Sequence, residues 1–517
     1  MRLNARLRTL ARATLIAGFV AVAPLVASAQ TPDAAAATPA PIPAEKHFVT
    51  HHAVRIHGAT VSYTATAGTI LLRNGKDEAD ASVFYTAYVR TGSGAGTQRP
   101  LTFFYNGGPG SSTAWLHMLS FGPRRVAVAN ASLTPAAPYA LVENDDSLLD
   151  RSDLVFIDAV GTGFSRIVGK GKPENFYGID QDARAFAQFI GRYVTANDRW
   201  NSPKFLFGES YGTTRSAALV DVLQNDGMDF RGLVLLSSIL NFSLDSTLPS
   251  DDAAYPLYLP TQAAVAAYHH ALPQQPGDLR TFLAGVRSFA AGEYTQALGL
   301  GSRLPAGTRD AVAAKLRAYT GLSQHYVELS NLRVTNDRFE KELFRDRNQT
   351  LGRLDGRFLG YDLDRVADSP DYDPTDPAIG GPVTAALNRY VRDDLKYRTT
   401  DEYRTTNYPE INAKWDFRRA PAGGEPTNFP AANVVGDLRE AMTKNALLKV
   451  FSANGYYDFA TPFFATEYTL DHLMIDPALQ RNISYGYYES GHMVYLDPGA
   501  RARLRADLGR FYDTATR

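Results

Sequence analysis

A serine set between two glycines is the residue of this chain best placed to act as a nucleophile. The pentapeptide Gly208–Gly212, GESYG, follows an apolar run at Phe205–Phe207 and precedes a run of helical pattern at Arg215–Leu223. A strand, a tight turn and a helix in this order form a nucleophile elbow, in which glycines without a Cβ let the turn lift the hydroxyl above the sheet. The pattern predicts acyl transfer through Ser210.

An acid and a base follow the serine along the chain. Asp458 comes just after the apolar segment Leu447–Ser452, and His492 comes just after Ile483–Tyr488. The carboxyl ends of strands in an open α/β sheet meet at one edge, and the order Ser, Asp, His is that of α/β-hydrolases. We therefore expect His492 to take the proton of Ser210 while Asp458 orients the imidazole and stabilises its charged form.

Two other histidines compete for the role of base. His117 precedes Ser210, and His472 lies in a predicted helix that starts near Pro462, so neither follows a strand in the expected order. Asp458 taken alone would also suit the N-cap of that helix. The joint occurrence of elbow, acid and base in one order favours the catalytic interpretation.

A glycine-rich segment after a predicted strand, Tyr105–Ser112 with the sequence YNGGPGSS, offers hydrogen-bond donors. Glycines let backbone N–H groups approach a ligand closely, so we expect the segment to bind the oxyanion that forms during acyl transfer. A phosphate-binding loop is the alternative. However, the segment matches neither the Walker pattern nor a dinucleotide fingerprint, Pro109 lacks an N–H, and no lysine follows within the loop.

The elements predicted around these residues indicate an α/β fold, the α/β-hydrolase fold, with a mixed, mostly parallel central sheet flanked by helices. An antiparallel meander comes first, from segments rich in β-branched and aromatic residues at Val54–Ile56, Val61–Thr66, Thr69–Leu72 and Ser82–Arg90. Continuously apolar segments typical of buried parallel strands follow at Leu101–Tyr105, Leu154–Asp158, Phe205–Phe207 and Leu233–Ser237. Helical runs separate them at Asp180–Val194 and Thr213–Leu223.

The alternation of strands and helices stops near residue 241 and resumes near residue 437. Between these points the helical segments are Thr261–Ala271, Leu279–Ala297, Arg309–Tyr319 and Val383–Leu395. We interpret 241–436 as a mainly helical cap inserted into a catalytic domain made of 46–240 and 437–517, which closes with a helix at Ala500–Tyr512. The acidic loop 371–376 lacks the spacing of a calcium loop and is interpreted as solvated, and Arg345–Arg357 as cap packing and surface.

Residues 1–29 have the pattern of a cleavable signal peptide. Four arginines lie in the first twelve residues, an apolar stretch runs from Ala13 to Val26, and the small residues at 27–29 suit cleavage before Gln30. The Ala-, Pro- and Thr-rich residues 30–45 bury little apolar surface and are expected to form a flexible linker. We expect an exported bacterial protein, periplasmic or extracellular, with no stable membrane insertion after cleavage; an uncleaved anchor is the alternative.

The composition excludes several classes of function. Lys and Arg total 53 against 54 Asp and Glu, a formal net charge of −1, so no basic surplus indicates a nucleic-acid partner. The absence of cysteine rules out disulfides, a thiolate nucleophile and cysteine–metal sites. No cofactor or metal is predicted, and the hydrophobic share of 44% suits a large globular core.

Five segments together resemble the serine carboxypeptidase family. They are Asn106–Ser112, Asp158–Ser165, Gly208–Gly212, the surroundings of Asp458, and Gly491–Val494. NGGPGSS and GESY are the most specific of these signatures, and the resemblance spans about residues 55 to 515. It implies an α/β-hydrolase that cleaves the last peptide bond of a chain and releases a free amino acid, through an acyl-enzyme on the elbow serine.

The resemblance also implies which groups bind the substrate. The backbone N–H groups of Gly108 and Tyr211 would bind the oxyanion, while Asn106, the N–H of Gly107 and the Glu209 side chain would hold the terminal carboxylate of the peptide. Contact between two carboxyl groups is favourable only if one of them keeps its proton. Glu209 would therefore be protonated and act as a hydrogen-bond donor to the substrate carboxylate.

The chain departs from the family at a second glutamate that commonly pairs with the first. Counting back from Gly122-Pro123, the residue at that position is Ser120. Two carboxylates that share a site raise one pKa, whereas a serine leaves only burial to do so. We therefore expect a pH optimum that is less sharply acidic than the family's usual one.

Three other functions suit parts of the same pattern. An exported esterase or acyltransferase would use the same triad, but Asn106 and Glu209 favour a peptidase. A tripeptidyl or prolyl aminopeptidase would need acidic residues in the cap to bind a free amine, and no cap motif predicts them. A non-enzymatic binding or scaffold protein is disfavoured because the triad and both oxyanion segments are intact.

Overall fold

A mixed β-sheet crosses the molecule and carries the predicted catalytic segments. In the computed structural model the strands are β1 His47–Ile56, β2 Ala59–Arg73, β3 Ala79–Arg90, β4 Leu101–Tyr105, β5 Arg124–Val126, β6 Leu141–Glu143, β7 Asp153–Ile157, β8 Arg166–Ile167, β9 Lys204–Ser210, β10 Gly232–Ser238, β11 Gln349–Leu351, β12 Leu359–Tyr361, β13 Lys449–Gly455 and β14 Ile483–Tyr488. The structure describes residues 39–92, 96, 98–420 and 432–517. The predicted signal peptide and residues 30–38 of the predicted linker lie outside them.

The strand order of the main sheet is β1-β2-β3-β7-β4-β9-β10-β13-β14, with β8 beside β3. The pairs from β1 to β7 are antiparallel, and the pairs from β7 to β14 are parallel. The predicted fold class, α/β with a mixed, mostly parallel sheet, is therefore confirmed. Contacts divide the chain into two units, Met1–Pro39 and Ala40–Arg517, and all of these elements belong to the second.

The helices lie on both faces of this sheet and in the segment between β10 and β13. They are α1 Ala114–Leu119, α2 Ile179–Ala196, α3 Tyr211–Asn225, α4 Ala254–Tyr268, α5 Leu279–Phe289, α6 Thr295–Leu300, α7 Ala306–Thr320, α8 Gln324–Leu329, α9 Asn336–Glu342, α10 Thr375–Arg389, α11 Tyr408–Asn412, α12 Val435–Lys444, α13 Phe463–Asp471, α14 Pro477–Gln480 and α15 Pro498–Ala515. None of the helices in the described residues is long and apolar enough to cross a bilayer.

Alternate side chains of the central strands enter two separate cores. On β4, Phe104 belongs to the core that includes α1 and α15, whereas Phe103 belongs to the core that includes α2, α3 and α12. Both side chains are fully buried, which explains why this strand is continuously apolar. The two-sided burial holds the carboxyl ends of β4, β9 and β13 at fixed positions along one edge.

Two predicted strands turn out to be one. Val61–Thr66 and Thr69–Leu72 both lie in β2, because the backbone stays extended through Gly68, which pairs with His47 on one side and Tyr85 on the other. Tertiary pairing on both edges overrides the break that a glycine usually indicates.

The segment between β10 and β13 is mainly helical, with α4 to α11, the β11–β12 hairpin and an apolar core that includes residues of α4, α5 and α7. The predicted helix at Leu279–Ala297 is interrupted by a π-helical turn at Ala290–Tyr294. The predicted loop 371–376 is a loop only in part, since Thr375 and Asp376 start α10. The domain boundaries at 240 and 437 stay a prediction.

Candidate active site

Ser210 stands at the junction of β9 and α3, where the chain turns sharply. Its backbone angles, φ 60° and ψ −132°, lie in a region that residues with a side chain rarely adopt. A Cβ at Gly208 would collide with the carbonyl oxygen of Gly212 across the turn, so a glycine is required there. The turn therefore has the strained geometry of a nucleophile elbow, and Ser210 lines a cavity of about 750 Å³, the catalytic cavity.

Asp458 and His492 come together after the ends of β13 and β14. His492 Nδ1 lies 2.8 Å from Asp458 Oδ2, and both side chains are buried. Asp458 also accepts hydrogen bonds from the backbone N–H of Thr461 at 3.0 Å and from its hydroxyl at 2.6 Å. Thr461, which the sequence did not single out, thus fixes the acid against the imidazole.

His492 and Ser210 line the same cavity. In the part of the chain that the structure describes, no hydrogen bond joins the Ser210 hydroxyl to the imidazole. Catalytic contacts of this kind are commonly long without substrate and tighten when it binds. The structure brings the three predicted triad residues together, and their catalytic roles stay a prediction.

The charge of Asp458 governs the protonation of His492. Burial lowers the pKa of the imidazole, but the charge and hydrogen bond of Asp458 more than offset this, with a contribution from Glu209, and the net pKa lies above 6.5. The imidazolium that forms when His492 accepts a proton is therefore stabilised, which a general base in acyl transfer requires.

A cap segment supports the loop that carries His492. The backbone N–H of His492 donates to the Leu354 carbonyl at 2.6 Å, and Asp355 Oδ2 accepts from the backbone N–H of Gly491 at 3.2 Å. Arg357 pairs with Asp355 at 2.6 Å and donates to the Ser490 hydroxyl at 3.1 Å. The interpretation of Arg345–Arg357 as packing and surface is therefore incomplete, because this segment positions the base.

The glycine-rich loop after β4 lies across the elbow. A Cβ at Gly107 would collide with the backbone nitrogen of Tyr211, so only glycine permits this approach. Gly108 and Tyr211, the predicted oxyanion donors, line the catalytic cavity together with Ser210. Since Tyr211 is the first residue of α3, its N–H has no acceptor within the helix.

A buried arginine, paired with an aspartate, holds the backbone of this loop in place. Arg215 on α3 donates to the backbone carbonyl of Asn106 at 2.7 Å and pairs with Asp182 on α2 at 2.7 Å, with both side chains buried. On the other side, Asp158 accepts from the Thr113 backbone and hydroxyl at 2.9 and 2.7 Å. Sequence reasoning did not identify Arg215 or Asp182, because their partners are far away in the chain.

The predicted carboxylate-binding residues meet beside the nucleophile. Asn106 Nδ2 donates to Glu209 Oε1 at 2.7 Å, and Asn106 Oδ1 accepts from the Leu116 backbone N–H at 3.1 Å. Glu209 is 3% exposed, and its Oε2 has no hydrogen-bond partner among the described residues. Burial raises the pKa of Glu209 to about 7, although the neighbouring His492 opposes the shift.

A tyrosine hydroxyl faces Glu209, whereas the hydroxyl of Ser120 is used elsewhere. Ser120 follows α1, and its hydroxyl donates to the carbonyl of Leu116 in that helix. The buried hydroxyl of Tyr495 faces Glu209 and lowers its pKa, although their contact falls outside the limits of a regular hydrogen bond. Tyr495 lies three residues beyond His492, so the motif around the histidine also supplies a neighbour of the carboxylate site.

The two rival histidines lie outside the catalytic cavity. His117 is a core residue: it stacks on Phe156 at 4.6 Å between ring centroids, bonds with the Tyr88 hydroxyl, and burial lowers its pKa to about 3. His472 follows α13, is exposed, and its Nδ1 lies 2.6 Å from the Tyr468 carbonyl oxygen.

The cap contributes the remaining wall of the catalytic cavity. Arg353, Asp373, Asp376, Tyr408 and Asn412 line it. The sequence analysis assigned none of them to the site. Arg353 lies in the segment interpreted as packing and surface, and Asp373 and Asp376 lie in the loop interpreted as solvated. The five residues come from separate loops and helix ends without a shared motif. Within the described residues, no cluster of three or more His, Asp or Glu side chains could hold a metal ion.

A mixed sheet with an elbow after β9, an acid after β13 and a histidine after β14 defines an α/β-hydrolase. Residues 60–247, which include the glycine-rich loop and the elbow, match the model of the serine carboxypeptidase family. Over these residues the chain is similar to that family. A search of curated proteins gave no significant match.

Solved structures are similar to this chain to different degrees, and the first of the following three shares its fold. A prohormone-processing carboxypeptidase from Saccharomyces cerevisiae is 17% identical over 87% of this chain and 91% of its own, with a TM-score of 0.56. A carboxyl esterase from Bacillus coagulans is 12% identical over 87% and 98%, with a TM-score of 0.35. A proline iminopeptidase from Mycobacterium smegmatis is 11% identical over 90% and 99%, with a TM-score of 0.33.

Proposed function

We propose that this protein is a serine carboxypeptidase that removes the C-terminal residue of peptides. The observation that carries the proposal is the buried pair of Asn106 and Glu209 next to the elbow serine, with Glu209 Oε2 free of any partner among the described residues. A buried carboxyl group without a partner is costly unless a ligand satisfies it. A terminal carboxylate would do so, because it accepts the hydrogen bond of a protonated acid.

The reaction follows from these positions. With the substrate carboxylate on Asn106, Glu209 and the N–H of Gly107, the last peptide bond would lie over Ser210. His492 takes the proton of Ser210 as its oxygen attacks the carbonyl carbon, and the N–H groups of Gly108 and Tyr211 bind the oxyanion. His492 then protonates the leaving amine. Water then attacks the acyl carbon while His492 takes its proton, and His492 returns that proton to the Ser210 oxygen as the peptide acid leaves.

The protonation states limit the pH range of this reaction. His492 must be neutral to act as a base, and its pKa lies above 6.5. Glu209 must hold its proton to bind a carboxylate, and it loses it above about pH 7. The raised pKa of His492 moves the acidic limit of the reaction upward, and the raised pKa of Glu209 moves its alkaline limit to about pH 7. Both shifts support the expectation of an optimum that is less acidic than usual for the family. A kcat/KM profile with its maximum well below pH 5 would contradict it.

The proposal includes export from a bacterial cell, for which the arginine-rich and apolar pattern of residues 1–29 is the support. Expression of the full chain in a bacterium, followed by fractionation and N-terminal sequencing, tests this. Recovery outside the cytoplasm with Gln30 at the new N-terminus is expected, and an uncut chain in the cytoplasm would contradict it.

The activity is tested with two N-blocked dipeptides that differ only in a free or an amidated C-terminus. Release of the last amino acid is measured for wild type and Ser210→Ala from pH 4 to 8. Release from the free acid alone, absent in the variant, is the expected result. Cleavage of a simple ester with neither peptide hydrolysed would instead indicate the esterase or acyltransferase built on the same triad.

A further inference from the structure

A second cavity of about 620 Å³ lies in the cap and adjoins the catalytic one. Asp245 and Arg353 line both, so the two spaces share a wall. Asn106 and Glu209 line only the catalytic cavity. A peptide whose terminal carboxylate lies on those two residues would therefore have its more distant part near the second cavity.

Five carboxyl side chains and three arginines line the second cavity. Two of its three arginines are paired with carboxylates of the same wall: Arg333 donates two hydrogen bonds to Asp252, at 2.6 and 2.7 Å, and Arg338 lies 3.5 Å from Asp368. Asp245 accepts a hydrogen bond from the Tyr258 hydroxyl. The ionisable side chains that remain are the guanidinium of Arg353 and the carboxyl groups of Asp337 and Glu340.

Glu340 is the feature of this wall that points to a ligand. Its side chain on α9 is 1% exposed, and its Oε1 has no hydrogen-bond partner among the described residues. Burial, together with the nearby charges of Asp337 and Asp373, raises the pKa of Glu340, while Arg353 opposes the shift. A buried carboxyl without a partner costs free energy, and a cationic hydrogen-bond donor would remove that cost.

We infer that the second cavity binds a cationic nitrogen group of the peptide substrate, at Glu340 and Asp337, remote from the terminal carboxylate. The inference rests on the proposed function and names its substrate class. The group is either the N-terminal ammonium of a short peptide or a Lys or Arg side chain. Both ends of such a peptide would then be recognised, the carboxylate by Glu209 and the cation by the cap.

The test uses tetrapeptides with the same last two residues. The first set compares a free with an acetylated N-terminus. In the second set every peptide is acetylated, and Lys is compared with the neutral norleucine in the first or second position. Affinities are measured by calorimetry with Ser210→Ala, so that binding is read without turnover. Release of the last amino acid is measured separately with wild type. Cationic peptides are expected to bind roughly tenfold more tightly than their neutral counterparts, as a charge-assisted hydrogen bond permits.

Variants in the Ser210→Ala background locate the binding group. Glu340→Gln and Asp337→Asn should each reduce the preference for cationic peptides toward unity. Asp337 is exposed and accepts no side-chain hydrogen bond among the described residues, so Asp337→Asn provides the test if Glu340→Gln does not fold. Asp346→Asn is the matched control, because this exposed aspartate of the cap lines neither cavity. It should keep the full preference.

The outcomes separate the inference from the proposed function. Equal affinity for cationic and neutral peptides, no detectable binding of the cationic ones, or a preference that survives in a folded Asp337→Asn and Glu340→Gln would overturn the inference. Failure of wild type to release an amino acid from any of the peptides would overturn the carboxypeptidase proposal alone. Comparison of the two peptide sets shows whether the N-terminal ammonium or a basic side chain is the cation that binds.

Discussion

The two walls of the catalytic cavity differ in how completely their polar side chains are paired. On the wall that the sheet supplies, Asp458 accepts three hydrogen bonds and Asn106 uses both ends of its amide. On the cap wall, Asp373 accepts two backbone hydrogen bonds, at 2.8 Å each. Arg353 and Asp376 on the same wall make no side-chain hydrogen bond or ion pair within the described residues. Chemistry requires atoms held to a fraction of an ångström, whereas selection among substrates tolerates side chains that move.

Glu209 is the exception on the sheet wall, because one of its oxygens is buried without a partner among the described residues. An unpaired group at a site otherwise fully paired marks where a ligand is expected to complete the network. We propose that residues of the sheet wall perform the reaction and residues of the cap wall choose the substrate, and variants on each wall test this separation.

The largest effect is expected from Ser210→Ala on the sheet wall. Loss of the nucleophile should reduce kcat about a millionfold, with the fold retained. Turnover of an N-blocked peptide measures the loss of activity, and the Tm measures whether the fold is retained. Ser132→Ala, at an exposed serine outside the cavity, is the control and should keep full activity. Residual turnover within a hundredfold of wild type would exclude Ser210 as the nucleophile.

Asp458→Asn should come next, with a loss of about ten-thousandfold in kcat. An amide in place of the acceptor of the His492 Nδ1 proton favours the wrong imidazole tautomer and removes the charge that raises the pKa of the base. Peptide and ester turnover should fall together, because both reactions use the same base. A loss below tenfold would show that the imidazole is oriented by other groups.

Glu209→Gln should change binding and not the chemistry. In wild type, KM for a free-acid peptide should rise about tenfold per pH unit above pH 7, as the Glu209 proton is lost. The neutral glutamine has no proton to lose, so its KM should stay flat across this range, while ester turnover changes little. Parallel losses of ester and peptide turnover would contradict a role in carboxylate binding.

Tyr495→Phe should have a smaller effect, below tenfold in kcat/KM, because the contact of its hydroxyl with Glu209 is weaker than a regular hydrogen bond. The tyrosine hydroxyl lowers the pKa of Glu209, so its removal should raise that pKa and move the rise in KM to higher pH. A lower Tm without any shift in the KM profile would mean that Tyr495 is only a packing residue.

The smallest effect is expected from Arg353→Gln on the cap wall. This exposed cation faces several carboxylates, so its removal should favour basic over acidic substrates by up to about fivefold. The ratio of kcat/KM for a lysine and a glutamate peptide measures the effect. An equal loss on both peptides and on a simple ester would assign Arg353 to the chemistry and remove the distinction between the two walls.

Local pattern alone predicted much of the sheet and the order of the catalytic segments. Ser210, Asp458 and His492 each follow an apolar strand, and a buried strand with turn residues after it is a signal of a few consecutive residues. The same reasoning failed at Gly68, where pairing with two neighbouring strands keeps the chain extended. It also missed the start of α10 within the acidic loop.

The sequence by itself determined the fold class, the elbow and the order of the three candidate catalytic residues, since these depend on neighbours in the chain. Only the tertiary structure decided that Leu354 and Asp355 hold the His492 loop, and that Tyr495 faces Glu209. Such contacts join residues over a hundred positions apart and leave no periodic signal. The raised pKa of Glu209 belongs to the same category, because its cause is burial, which is a property of the folded chain.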